Sequence, residues 1–374
     1  MTIPIQSLGG AAIGSAGCVE VPRLCNLFCY DSALNLLWAY ASPAITDGTQ
    51  FPIITTHGLQ KPAYNATLNR VQAFTENITN QSITNSAAYE KNHSSFLVPP
   101  YSPDYYLPSV ASILNDDGSV ISLGQAPVSG DPPPAGNFFT LTKFNSAGTY
   151  VAGFSASGFD SPGLPPLARL VGNGTGWIAA TAGQILFFNS SFAMTPAATN
   201  IGTYLSTTLN DFEKTASNIF IATNAAGGGF TNKNAFKLDS SGDYVSGVTL
   251  GTAGNAVSRV VEATDGSLYW STPTTIYRTD ASLSVLGSIS VNSRIIAPAP
   301  SGGVYVGINN HTAGLDNLFH YDSSGSLVAS TILPLYPGSS TVNATIIDIT
   351  SSPDGSRLFV GGVSRYPRWQ SIPV

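Results

Sequence analysis

Charge is what this chain has least of. Only 10% of its 374 residues are Asp, Glu, Lys or Arg, against roughly 25% in an ordinary soluble domain, so solubility has to come from hydroxyls and amides. The 15 basic residues are scattered, none falls between Lys91 and Lys143, and the formal net charge is -6. Phosphate binding needs clustered Lys and Arg, so nucleic acid is excluded as a partner. No apolar run reaches the roughly 18 residues of a membrane-spanning helix. Cysteine is equally thin. Cys18, Cys25 and Cys29 are an odd set near the N-terminus, without the paired spacing of a zinc site or a haem attachment. They read as small buried strand residues, with one disulfide among them as the alternative. No Gly-x-Ser-x-Gly elbow, Walker-type loop or dinucleotide fingerprint occurs, and Gly227-Gly-Gly229 follows a strand without opening a helix. No cofactor is implied.

What the chain does have is a repeated stretch. Asn317-Leu-Phe-His-Tyr-Asp-Ser-Ser-Gly-Ser-Leu-Val-Ala-Ser330 places two short apolar runs either side of an Asp-Ser-Ser-Gly turn. The pattern returns as Ala235-Phe-Lys-Leu-Asp239-Ser-Ser-Gly-Asp-Tyr-Val245, Leu141-Thr-Lys-Phe-Asn145-Ser-Ala-Gly-Thr-Tyr-Val151 and Ile276-Tyr-Arg-Thr-Asp280-Ala-Ser-Leu-Ser-Val-Leu286, with looser copies at Asn189 and Asp31. Asp and Asn hydrogen-bond their own backbone and Gly accepts positive φ, so each copy reads as strand, turn, strand. From Asn145 through Asn189, Asp239 and Asp280 to Asp322 the turns are 44, 50, 41 and 42 residues apart, the period of a four-stranded propeller blade. One blade cannot bury both faces, and radial stacking around a channel solves that.

A second signal runs out of phase with the first. Asp117-Gly-Ser-Val-Ile121, Gly174-Thr-Gly-Trp-Ile-Ala179, Ser217-Asn-Ile-Phe-Ile221, Asp265-Gly-Ser-Leu-Tyr-Trp270, Gly302-Gly-Val-Tyr-Val306 and Pro353-Asp-Gly-Ser-Arg-Leu-Phe-Val360 each lead from a tight turn into a short apolar strand. Ser352-Pro-Asp-Gly-Ser-Arg-Leu-Phe-Val-Gly361 resembles the repeat of YVTN-type propellers, and the Asp-Ser-Ser-Gly hairpins resemble those of quinoprotein-type and WD-type propellers. The resemblance implies a ring of blades and carries no activity with it.

The expected fold is therefore all-β: a β-propeller of seven four-stranded blades, with hairpins near 31, 75, 145, 189, 239, 280 and 322. Ala344–Thr350 and Leu358–Val363 are read as inner strands that share one blade with outer strands from the N-terminus, which closes an otherwise open edge. Residues 1–25 read as an N-terminal arm and 26–374 as the propeller domain. Met1–Gly17 lacks a basic segment and makes a poor signal peptide. Within the propeller, 94–136 reads as a Pro- and Tyr-rich insertion that still holds a strand around Val120. Leu205–Ala216, with Asp211, Glu213 and Lys214, is the one stretch suited to a short helix.

Chemistry-bearing residues are sparse. The histidines are His57, His93, His311 and His320, no two at metal-ligand spacing on one element. His320 lies inside a hairpin strand and reads as structural, whereas His311 sits in a loop that would meet His57 only at a channel mouth. Asp116-Asp117-Gly118, Asp265-Gly266 and Asp354-Gly355 fit the repeated turn and lack the alternating donors of a calcium loop. With few charges, much Ser, Thr, Asn and Gly, and no catalytic set, the chain is expected to be a non-enzymatic structural or adaptor propeller. Composition resembles a virion component, such as a short-tailed phage tail or nozzle ring or a capsid-attached protein, with other tail proteins and copies of itself as partners. Two alternatives stand beside it. One is an extracellular or cell-surface glycan-binding propeller that stacks sugars on Tyr101, Tyr105, Tyr106 and Trp369. The other is a lyase or hydrolase at the channel mouth.

Overall fold

Short apolar runs separated by Asx turns fold as their spacing requires. The computed structural model describes residues 25–41, 63–65, 70–72, 109–115, 117, 119–126, 138–144, 150–157, 166–172, 176–181, 183–191, 193, 204–293, 295–308, 315–333 and 345–363. In chain order, β1 (Cys25–Asp31) pairs with β2 (Leu36–Ala41), and β3 (Ala63–Asn65) with β4 (Arg70–Gln72). A four-stranded sheet follows: β5 (Ser109–Leu114), β6 (Val120–Ala126), β7 (Phe138–Phe144) and β8 (Tyr150–Ser157). Then come three strands, β9 (Pro166–Gly172), β10 (Gly176–Thr181) and β11 (Ile185–Asn189).

Three further four-stranded sheets succeed them. They are β12 (Leu209–Lys214) to β15 (Tyr244–Val248) through β13 (Asn218–Thr223) and β14 (Ala235–Asp239); β16 (Arg259–Glu262) to β19 (Val285–Ile289) through β17 (Leu268–Ser271) and β18 (Ile276–Thr279); and β20 (Ile295–Pro298) to β23 (Leu327–Thr331) through β21 (Val304–Gly307) and β22 (Leu318–Tyr321). Finally β24 (Thr345–Ser351) and β25 (Arg357–Val363) join the first two strands in the order β2-β1-β25-β24. Phe28 lies opposite Val360 and Cys29 opposite Phe359. The chain ends thus share one sheet, C-terminal strands inside and N-terminal strands outside.

The fold is an all-β propeller. First strands β5, β9, β12, β16, β20 and β24 neighbour one another in that order, and β3 lies between β24 and β5. The expectation of seven four-stranded blades is corrected: among the described residues five sheets have four strands, one has three and one has two. The fourth strand expected after the turn on Asn189 and the hairpin expected near 75 both lie outside the described residues. A second correction concerns Leu205–Ala216, where Leu209–Lys214 is an inner strand and not a helix. Asp211 bonds the neighbouring blade and Lys214 the carbonyls of its own turn at Thr215 and Ala216, so the polar pattern that reads as an exposed helix belongs to a strand. The segment 94–136 contributes two strands, β5 and β6.

The core lies between blades. One apolar cluster joins Ile178, Ile185 and Phe187 to Phe212, Ile221 and Phe236 of the next blade, another joins Phe220 and Ala235 to Val260, Leu268 and Trp270, and a third joins Tyr269 and Ile276 to Ile296, Val304 and Val306. At the closing blade Phe28, Tyr30 and Leu34 pack with Tyr305, Leu318, Ile349 and Val360. Each buried Leu, Ile or Phe contributes on the order of 1.5–3 kcal/mol, so adhesion of successive blades is the chief stabilising term.

The turns repeat atom for atom. Asp31, Asn189, Asp239, Asp280 and Asp322 each accept the backbone N–H groups two and four residues on through Oδ1, at 2.8–3.0 Å. Three residues after the Asp the backbone turns left-handed. Gly242 and Gly325 fill that position at φ 92° and 85°, but Leu34 and Leu283 do so at φ 60° and 71°. Both leucines are buried at 4% exposure, so apolar burial offsets the backbone strain.

Two further contacts recur between neighbouring blades. The residue two before the turn Asp donates to the carbonyl just after the turn Asp of the next blade: Lys237 Nζ to Ala281 O at 3.0 Å, Arg278 Nη1 to Ser323 O at 2.8 Å, and His320 Nδ1 to Ser32 O at 2.7 Å. Second-strand tyrosines reach the first turn of the next blade, Tyr269 to Gly302 O at 2.8 Å and Tyr305 to Gly355 O at 2.7 Å. Gly355 has φ 71°, and a Cβ there would lie 2.4 Å from the Ala299 carbonyl carbon, so only glycine permits this approach.

Candidate functional site

Charge is scarce enough that its placement on the first strands stands out. Arg259 opens β16. Its Nη2 donates to Asp348 Oδ1 on β24 at 2.6 Å, and its Nε lies 3.6 Å from Asp211 Oδ2 on β12. The three side chains are 15%, 10% and 5% exposed. Because the blade of β20 stands between those of β16 and β24, the Arg259–Asp348 bond is a chord across the channel wall. Asp211 Oδ2 also accepts the Val260 N–H at 3.0 Å, and Asp348 Oδ1 accepts the Ile349 N–H at 2.8 Å. Burial works against the Arg259 charge, but Asp348 and Asp211 more than offset it and raise the guanidinium pKa above its ordinary value. The group neither gives nor takes a proton near neutrality, so this bridge braces the ring. Farther along the same two strands, burial and the charge of Glu213 push the Glu262 carboxyl up, while Lys214 pulls the other way.

A second site lies where β15 leaves for β16. The linker Thr249–Asn255 turns through Gly251 and Gly254 at φ 80° and 93° and folds over the outer half of the next blade. Between it and Thr274, Tyr277 and Val285 is a cleft of about 430 Å³, also lined by Thr249, Leu250, Gly251, Thr252 and Asn255. The linker is pinned from below by Asn234, which is fully buried. Its Nδ2 donates to Leu250 O and Asn255 O, both at 2.9 Å, and its Oδ1 accepts the Leu250 N–H at 2.8 Å. Asn317, two blades on, accepts the Leu333 N–H at 2.7 Å where β23 ends, as Asn234 accepts that of Leu250 where β15 ends.

The aromatic residues expected to contact a partner or a sugar, Tyr101, Tyr105, Tyr106 and Trp369, lie outside the described residues, as do His57, His93, His311 and Cys18. His320 is structural as read: it is 6% exposed, its ring lies tilted at 45° against Tyr305, and burial lowers its pKa despite its bond to Ser32 O and the charge of Asp322. Cys29 is buried and free, with burial raising its pKa to about 12 despite the opposing charge of Arg357. Asp117, Asp265 and Asp354 each cap a tight turn by accepting the N–H two residues on. Among the described residues no three His, Cys, Asp or Glu side chains converge as metal ligands, and no helix is long and apolar enough to cross a membrane. Sequence reasoning missed Asp211, Arg259 and Asp348. The available signal was an ionised residue among β-branched and aromatic neighbours on each of three first strands.

No protein-family model matches the chain, and no curated protein matches its sequence. Solved structures that it resembles include the extracellular domain of the one-component system BT4673 of B. thetaiotaomicron (12% identity, 97% of this chain and 40% of that one, TM-score 0.48) and Raptor of Chaetomium thermophilum (9% identity, 69% of this chain and 28% of that one, TM-score 0.44). The Pan2 WD40 domain of Neurospora crassa is similar over 70% of this chain and 90% of that one, at 10% identity and TM-score 0.41. The chain thus spans well under half the length of the first two.

Proposed function

We propose that the chain is a non-enzymatic structural or adaptor propeller that works inside a larger assembly, with copies of itself side by side in a ring. The observation that carries this reading is the outer rim. On the fourth strands of three successive blades, at the same place after the turn, Val245, Val285 with Leu286, and Leu327 with Val328 are 50–55% exposed. Unpaired edge strands carrying apolar side chains are what proteins ordinarily hide or blunt, and an arc of them suits an edge-to-edge contact. Several of the described charged residues support the same reading, because their work is internal: carboxylates cap turns, Lys237 and Arg278 dock blades, and Arg259 braces the channel. Seven blades is the count we infer from seven sheets that neighbour one another in turn, although among the described residues only five of them have four strands. A virion is the setting that the composition favours: few charges with abundant Ser, Thr, Asn and Gly suit a chain designed to assemble.

The test is the mass and image of the purified full chain by light scattering and electron microscopy. Closed rings are expected, and the triple variant Val285→Glu, Leu286→Glu, Leu327→Glu is expected to return them to monomers without a change in circular dichroism. A lone monomer at high concentration, indifferent to that variant, overturns the reading.

A further inference from the structure

We propose that the cleft between the Thr249–Asn255 linker and the following blade binds one unit of a neutral saccharide. This goes beyond the assembly role and does not depend on it. The lining is the first ground. Of its eight residues, Thr249, Thr252, Thr274 and Tyr277 carry hydroxyls, Asn255 an amide and Val285 an exposed apolar side chain, Leu250 lends only its backbone because its side chain is buried in the core, and none carries a charge. A ligand matched to that wall has several hydroxyls on one side, an apolar face on the other and no ionised group, which describes a neutral pyranose. Phosphates and carboxylates find no cation there to meet them.

The second ground is that the cleft is built in advance. Asn234 spends three hydrogen bonds from a fully buried position to hold the linker at Leu250 and Asn255. Within the linker, Asn255 Nδ2 donates to Thr252 Oγ1 at 2.8 Å, which leaves the Asn255 side-chain Oδ1 and the Thr252 hydroxyl proton to serve a ligand. Gly251 keeps the floor open. Its φ is 80°, and a Cβ there would lie 3.2 Å from Asn255 Nδ2 and 3.4 Å from the Tyr277 hydroxyl. Tyr277 is half-buried, so its ring is fixed while its hydroxyl faces the space that a side chain at 251 would fill. At about 430 Å³ the cleft is within the range usual for small-ligand sites, and fixed hydroxyls lower the ordering cost of binding.

The experiment is saturation-transfer NMR on the full chain with a panel of neutral mono- and disaccharides, and with sialylated and sulfated glycans as comparators. Variants Tyr277→Phe and Thr252→Val are run alongside, with thermal unfolding as the fold control. Binding of a neutral sugar is expected. Each variant is expected to weaken it by about 3–10-fold, the worth of one hydrogen bond, at an unchanged melting midpoint. No transfer to any neutral sugar at millimolar concentration, stronger transfer to the anionic comparators, or binding that neither variant alters would each overturn the assignment. Val285 serves both the rim contact and the cleft wall, so the sugar variants are placed at Tyr277 and Thr252, outside the rim contact, and the two readings fail separately.

Discussion

Replacing Arg259 by Met tests whether the channel bridge holds the ring. The substitution keeps most of the side-chain volume and removes the charge that Asp211 and Asp348 share. Both carboxylates are at most 10% exposed, so neither regains full hydration when its partner goes. Breaking a buried pair in this way costs about 3–5 kcal/mol. At about 2.1 cal/mol/K of unfolding entropy per residue, a chain of 374 residues loses roughly 1.3 °C per kcal/mol. The expected fall in melting midpoint is therefore about 4–6 °C, followed by circular dichroism. The decisive comparison is the triple variant Arg259→Met, Asp211→Asn, Asp348→Asn. Asn keeps an acceptor for the Val260 and Ile349 N–H groups while discharging the site, so most of the loss should return. A single variant that melts with the wild type would refute the reasoning, and so would a triple variant no more stable than the single one.

Three other expectations follow from the repeat. His320 has its pKa lowered from 6.5 by burial, so the unfolded chain binds the proton first; the stability it supplies is present above pH 6.5 and lost as pH falls toward the folded value. The melting midpoint should drop as pH falls below 6.5, and His320→Gln should flatten the slope. Leu283→Ala should cost about 2–5 kcal/mol in urea unfolding. Leu283→Gly should cost no more than that, because glycine relieves about 1–2 kcal/mol of left-handed strain; a clearly worse Gly variant would remove strain from the account. Tyr305→Phe strips the Gly355 carbonyl of its buried donor and should cost about 1–3 kcal/mol, with Tyr269→Phe behaving alike at Gly302.

What could be read in the sequence was whatever depends on neighbours along the chain. Asp followed by Ser and a small residue forms its turn from its own five residues, so the turns at Asp31, Asn189, Asp239, Asp280 and Asp322 were visible, and their spacing carried the propeller. The closure of Phe28 on Val360 followed from counting unmatched strands at both ends. Where the sequence misled, the cause lay across the ring. Leu205–Ala216 looked helical because Asp211, Glu213 and Lys214 are polar at short spacing, yet Asp211 is polar for the sake of Arg259, 48 positions later. Leu34 and Leu283 stand where a turn asks for glycine because the pocket they fill belongs to the packed blades.

The same distinction explains why architecture was more legible than role. In a ring whose blades are near copies, a residue shared by every copy serves the ring, and a candidate for function is one that breaks the pattern. Lys237, Arg278 and His320 do the same job at the same place, and so do Tyr269 and Tyr305, which marks them as mortar between blades. Asn234 and Asn317 likewise pin equivalent linkers. Beside the first of them, Gly251, Thr252, Asn255 and Tyr277 surround open space next to a segment that Asn234 has already fixed. The strongest case for function among the described residues therefore sits at that hollow, and a substitution that fills it, Gly251→Val, should abolish sugar binding and, because position 251 is left-handed at φ 80°, lower the melting midpoint as well.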